Sequence, residues 1–206
     1  MDKVFFSADQ HLGHSNIIRH CKRPFKDAGE MDQALEDAWN APVGPNDIVY
    51  HLSDFTLLGL RAACSYFARL NGRIRILRNV SHHDKRWLHA IRNADPLHCA
   101  AGWPVSASGH AIELLEPQVT LEFPAQVIVL NHFPMAGWDR KHRGAWHLYA
   151  HSHGRFTDVG LMMDVGVDAV HRKYSLPAYA PVRLDQVAQI MQERIKKNGS
   201  WDRLTY

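Results

Sequence analysis

This sequence has few cysteines, and the way they are placed weighs against a whole class of architecture. Cys21, Cys64 and Cys99 are odd in number, far apart and in no CxxC arrangement. That argues against a disulfide framework and predicts free, buried thiols in a reducing compartment. Long hydrophobic runs are missing too. No apolar stretch approaches the ~18 residues of a membrane span, and the start MDKVFFSAD turns polar too early for a secretory signal, so a cytoplasmic location without a membrane partner is expected. The chain also has no internal repeat, low-complexity tract, Pro/Gly/Ser linker or heptad run. One domain over residues 1–206 is therefore predicted, with its oligomeric state left open.

At 206 residues the chain is long enough to bury around 70% of the surface its unfolded form exposes. Hydrophobic residues make up 46% and charged residues 22%, so the core needs no disulfide or structural metal. Net charge is only +3, but the basic residues are bunched: Arg69, Arg73, Arg75 and Arg78 form one group, and Arg140, Lys141, His142 and Arg143 another. Such groups suit a phosphate-bearing partner as well as a solvated face. Histidine is plentiful, with fifteen copies, and it is the commonest metal-ligating side chain.

In chain order, the pattern predicts helices over Ser15–Cys21 and Asp32–Asn40, a turn over Pro42–Asn46 and a strand over Asp47–Phe55. A helix over Leu57–Leu70, closed by Asn71 and Gly72, leads to a strand over Arg73–Leu77 and a short helix over Trp87–Ile91. Alternating strands and helices argue for an α/β fold with a largely parallel sheet. Beyond Gly109, short strands at Ala111–Leu115, Val119–Phe123 and Gln126–Leu130 read as antiparallel neighbours in a second sheet. Strands at Trp146–Ala150 and Gly160–Val167, an irregular Ser175–Pro181 and a closing helix at Leu184–Lys197 complete the chain.

The chemistry gathers where strands end. In VFFSADQHLGH, Asp9 and His11 stand two apart, so an extended backbone turns both toward one cation. Asp54 closes the next strand, Asn79 to Asp84 follow the third, His132 ends another, and His151 and His153 leave the last. Ligands of α/β sheets bind beyond the carboxyl ends of their strands. Carboxylates mixed with imidazoles suit Mn, Fe or Zn better than Mg or Ca. So many donors exceed one tetrahedral site and fit two metals sharing a carboxylate.

These motifs, Asp9-Gln10-His11, Ser53-Asp54, the Asn79 to Asp84 loop, His132 and Ala150-His151-Ser152-His153, resemble the DxH, GD, GNHD, H and GHxH series of the calcineurin-like metallophosphoesterase superfamily. The segments HLGHSNIIRHCKRPF, DIVYHLSDF, NHFPMAGW and MDVGVDA are similar to a small bacterial and phage branch of it. The resemblance implies two packed mixed β-sheets flanked by helices, an α/β/β/α sandwich. It implies a first divalent ion on Asp9, His11 and His153, a second on His132 and His151, and Asp54 bridging them. Mn2+ is the first expectation, with Fe, Zn or Ni as alternatives. A water or hydroxide between the ions would attack a phosphodiester or phosphomonoester, a small nucleotide-type substrate being expected. His83 would be the general acid, oriented by Asp84.

The sequence departs from the series at Ser53, Ala150 and Arg78, which stand where the pattern has glycine. The spacing of Asn79-Val80-Ser81-His82-His83-Asp84 leaves either Asn79 or His82 as the further ligand of the second metal. His14, Arg78, Arg140 and Arg143 are candidate substrate contacts, the last two flanked by Trp138 and Trp146. His51 and His147, inside strands, read as sheet residues. Asp164 is placed to orient a ligating histidine, and with Asp168 to hold a turn. The altered loop also admits a second function, a metal-binding regulatory module with weakened or lost turnover. A nuclease would need a nucleic-acid groove for which this chain shows no added domain.

Overall fold

The computed structural model describes residues 2–79, 83–91 and 102–198. Its elements are β1 (Val4–Ser7), α1 (Ser15–Cys21), α2 (Ala28–Asn40), β2 (Ile48–His51), α3 (Leu60–Phe67), β3 (Arg73–Leu77), α4 (Lys85–Ala90) and β4 (Glu113–Leu115). They continue with β5 (Gln118–Phe123), β6 (Gln126–Asn131), β7 (Trp146–Tyr149), β8 (Met162–Asp164), α5 (Val167–Tyr174), β9 (Val182–Arg183) and α6 (Leu184–Asn198). They build two mixed sheets flanked by helices, with strand orders β4-β3-β2-β1-β9 and β5-β6-β7-β8.

Alternation along the strands explains the layering. In β1, Phe5 faces α1 to α4, where it joins Ile17, Leu35, Trp39 and Phe67, and Phe6 faces the opposite way. There it meets Leu52, Leu130, Leu148 and Met163 in a core between the sheets, with Val187 and Met191 of α6. Burying each such side chain stabilises the fold by about 1.5–3 kcal/mol before entropy is counted. The helices start where local chemistry allows. The Asp27 side chain accepts the Glu30 N–H at 2.9 Å and starts α2 four residues ahead of the expected Asp32.

Several expected strands are shorter, and one belongs elsewhere. The regular ladder between β2 and β1 ends at His51, and just beyond it Ser53 and Asp54 turn to φ 88° and 60°. The Gly160–Val167 strand reduces to β8, since Val167 already opens α5. The Ala111–Leu115 segment does not join the second sheet. Its ordered part, β4, pairs parallel with β3 in the first sheet, with the Arg75–Glu113 ion pair at 2.8 Å across the two strands. In the second sheet only β5 and β6 are antiparallel; β6, β7 and β8 run parallel. Among the described residues, no helix is long and apolar enough to cross a membrane. Cys21 and Cys64 are free thiols, and burial pushes the Cys21 thiol up to about 12.

Candidate metal centre

The carboxyl ends of β1, β2, β6 and β7 meet over the seam between the sheets. Beyond their strands the first two chains stay paired: Asp9 N–H donates to Ser53 O at 3.2 Å and His11 N–H to Asp54 O at 3.1 Å. To turn their side chains toward one point, the loops adopt left-handed backbone at Asp9 (φ 61°), His11 (53°), Ser53 (88°), Asp54 (60°), His151 (66°) and His153 (49°). Each of these costs about 1–2 kcal/mol for a residue with a Cβ. The chain accepts this expense at the site and avoids it at Arg78 and Ala150, neither of which is left-handed.

Two of the donor groups that result are built from the strand-end residues. Asp9, His11 and His153 form one, Asp54, His132 and His151 the other, with the ligand-capable atoms of each within 4.8 Å of one another. Asp54 Oδ2 stands between them, 3.4 Å from His132 Nε2 and 3.7 Å from His11 Nε2. Asp9, His11, Asp54 and His132 are almost wholly buried. Asp9 Oδ1 and both ring nitrogens of His11 are buried without a hydrogen-bond partner. Burial, followed by the charge of Asp54, raises the Asp9 carboxyl well above its usual range. Burial lowers the His11 imidazole well below its own. Orphaned carboxylate and imidazole atoms converging in this way are costly unless a cation satisfies them, and the donor set fits a divalent transition ion. These groups are able to hold a metal.

A further shell of contacts fixes the imidazoles. His132 Nδ1–H donates to Leu52 O at 2.8 Å, which leaves Nε2 toward Asp54. His153 Nδ1 lies 2.8 Å from Asp168 Oδ2. Asp164 does not orient a histidine. It accepts Ser152 Oγ, the Gly154 N–H and the Gly166 N–H, and so holds the turn that carries His151 and His153. Gly166 has to be glycine, because a Cβ there would lie 2.6 Å from Asp9 Oδ2.

One residue essential to this arrangement escapes sequence reasoning. Arg23, with its side chain wholly buried, donates from Nε and Nη2 to the two oxygens of Asp168 at 3.0 and 2.7 Å. It also donates to Asp9 O at 2.7 Å and Gln10 O at 2.8 Å. Burial alone would raise Asp168, but hydrogen bonds from His153 and Arg23 hold it well below the usual carboxylate range. Arg23 thus ties the loop of Asp9 and His11 to the support of His153.

Above the groups opens a cavity of about 730 Å³, lined in part by His14, His83, His151 and His153. His83 packs edge-on against His11, with ring centroids 4.6 Å apart. Asp84 does not orient it. The Asp84 carboxylate is buried and accepts Ser53 Oγ, the Phe55 and Thr56 N–H groups and Trp87 Nε1–H, all within 3.1 Å, so it shapes the Asp54 loop instead. Asn79 is buried where the chain leaves β3 and does not line the cavity. His82 lies outside the described residues.

The three arginines expected at the substrate point elsewhere. Arg78 is held by Glu116. Arg140 pairs with Glu122 at 2.7 Å, and with Arg143 it lines a separate cavity beside Phe123 and Gln126. The reason is Trp138, which turns inward, donating to Ala145 O at 2.8 Å and packing on His147, so the basic loop is drawn onto the second sheet. His51 and His147 are buried, bonded to Gln10 and Val129 respectively.

No protein-family model matches the chain. It is 26% identical over 195 residues to an uncharacterized protein of Methanocaldococcus jannaschii, covering 94% of this chain and 93% of that one. It is 25% identical over 195 residues to the Gene 66 protein of Mycobacterium phage D29, covering 83% of this chain and 90% of that one. Among solved structures it is similar to a protein of unknown function from Aquifex aeolicus, with a TM-score of 0.61 and 16% identity over 92% of this chain and all of that one, a likeness of fold.

Proposed function

We propose that this chain is a calcineurin-like metallophosphoesterase, a dimetal hydrolase of small phosphodiesters or phosphomonoesters, built as an α/β/β/α sandwich. The observation that carries this reading is the place of Asp54 Oδ2, within 3.4–3.7 Å of an imidazole from each donor group. A carboxylate so placed is suited to bridge two cations. Asp9, His11 and His153 would hold the first and His132 and His151 the second, with Asp54 shared; Mn2+ is the ion to try first, with Fe, Zn or Ni as alternatives for a set of imidazoles and carboxylates. When bound, such ions supply Lewis acidity to a phosphoryl group and make water a nucleophile near neutral pH.

The remaining roles belong to the chain. His83, 29% exposed on the cavity wall, is placed to give a proton to the leaving oxygen. His14 lines the same wall and would contact the substrate from there. Leu52 O and Asp168 keep the His132 and His153 rings from rotating while charge builds at phosphorus. Free thiols at Cys21 and Cys64 fit a cytoplasmic setting.

The test is hydrolysis of bis(p-nitrophenyl) phosphate by metal-stripped protein, with and without Mn2+, beside Asp54→Asn. Turnover that requires the metal and falls at least about a hundredfold in the variant supports the reading. Metal binding at about one ion per chain, with no turnover of diester, monoester or nucleotide probes, would make it a metal-binding module instead.

A further inference from the structure

The outer wall of the cavity carries positive charge that the chemistry above does not use. Arg19 on α1 and Arg155, two residues beyond His153, line it beside His20. Among the described residues, Asp54 is the sole acidic side chain on the lining, and it belongs to the donor groups. Elsewhere Arg75, Arg78, Arg140, Arg172 and Arg183 each pair with a carboxylate, whereas Arg61, Arg73, Arg86 and Arg143 have no ion pair among the described residues. Arg19 and Arg155 differ from these four in lining the cavity above the donor groups. Arg19 and Arg155 are bound only to neutral groups. Arg19 Nη2 donates to Asn16 Oδ1 at 3.3 Å. Arg155 Nη2 donates to His20 O at 2.8 Å, and its Nη1 lies 3.2 Å from His20 Nε2.

These contacts place the Arg155 guanidinium as well as leaving it unneutralised. The His20 ring stands edge-on to His153 with centroids 6.4 Å apart, and His153 lies 5.2 Å from His11. Arg155 is therefore one imidazole beyond the first donor group, on the side open to the cavity. A planar guanidinium without a counter-charge, held beside a phosphoryl-binding centre, recognises a further phosphate by paired N–H donors.

We propose that Arg19 and Arg155 form a second anion subsite, and that the substrate is a small phosphoester bearing another phosphate beside the scissile one. This rests on the phosphoesterase reading and narrows its substrate class. A nucleoside bisphosphate or its ester has the required chemistry; a diester without a second phosphate does not use the subsite.

The test compares thymidine 5′-(p-nitrophenyl phosphate) with its 3′-phosphorylated counterpart, two chromogenic diesters that differ by one phosphate. The Mn2+-loaded protein is expected to prefer the second by about tenfold in kcat/KM, chiefly through KM, and the Arg19→Ala/Arg155→Ala double variant to lose that preference. Equal use of the two by the unaltered protein, or a preference that survives in the variant, overturns the proposal. If neither probe nor bis(p-nitrophenyl) phosphate is hydrolysed, the phosphoesterase reading has failed on its own. The subsite is then judged by calorimetric titration with thymidine 3′,5′-bisphosphate and thymidine 5′-phosphate. Binding of the bisphosphate that is tighter by about tenfold, and lost in the double variant, supports it; equal binding overturns it.

Discussion

Replacing Arg23 with methionine tests how the metal centre is held together. The guanidinium neutralises buried Asp168 and satisfies the carbonyls of Asp9 and Gln10. Removing one partner of a buried pair costs about 3–5 kcal/mol when the other charge is left uncompensated; Arg172, half exposed and 3.1 Å from Asp168 Oδ1, offsets part of this. Orphaning the carbonyls adds to this, though not additively, so about 4 kcal/mol is the expected loss. For a chain of this size that lowers the melting temperature by about 8–16 °C and leaves a folded protein. Because Asp168 fixes His153, affinity for the first metal should fall about 10–100-fold. Urea unfolding followed by tryptophan fluorescence gives the first quantity and Mn2+ calorimetry the second. Arg23→Lys keeps the charge but not the fork and should fall between. Adding Asp168→Asn to Arg23→Met should cost less than the sum of the two, since the stranded charge is gone. A variant Arg23→Met within about 1 kcal/mol of the unaltered protein, with unchanged Mn2+ affinity, would refute the reasoning.

Three other outcomes follow from the geometry. Gly166→Ala puts a methyl 2.6 Å from Asp9 Oδ2, so Mn2+ affinity should drop by about tenfold or more while circular dichroism stays native. Ser53→Gly relieves a φ of 88° but loses the bond from Oγ to Asp84, whereas Ser53→Ala loses the bond and keeps the strain; urea unfolding should find the glycine variant more stable by about 1 kcal/mol. Burial would raise Asp158, but Lys173, Tyr149 and Arg194 hold its carboxyl below the ordinary value of 3.8. A depressed carboxylate contributes stability that is present above its unfolded pKa and lost as pH falls through its folded one. The stability gap between the unaltered protein and Asp158→Asn should thus be about 2 kcal/mol at pH 7 and shrink below about pH 4, as acid titrations of thermal unfolding will show.

The legible parts of this protein are those written locally. The helix Ser15–Cys21 and the strand Arg73–Leu77 have their predicted bounds, because apolar period and turn residues mark both ends. Asp9, His11, Asp54, His132, His151 and His153 were visible as strand-end residues, and the structure brings them together. What stayed hidden depends on distance along the chain. Arg23 lies 145 residues from Asp168, and nothing near KRPF marks it as a clamp. The sheet that β4 joins is decided by pairs such as Arg75 with Glu113, which no window of residues contains. Asp84 misled for the opposite reason, since adjacency to His83 in sequence says nothing of side-chain direction in a tight loop. The cluster at Arg140 and Arg143 shows the same limit: local density of charge gives no direction, and Trp138 supplied it. For α2 a signal was present and unread, because Asp27 stands three residues before Glu30.

Each donor group takes its side chains from both sheets, Asp9 and His11 or Asp54 from one, His132, His151 or His153 from the other. A cation held there would be a rivet through the seam, and its binding and the cohesion of the two layers would be a single equilibrium. Amide exchange across β1, β2, β6 and β7 would then quicken together on chelation. A truncation at Leu130 or Leu148, touching no donor, would weaken metal affinity by loosening what the rivet fastens.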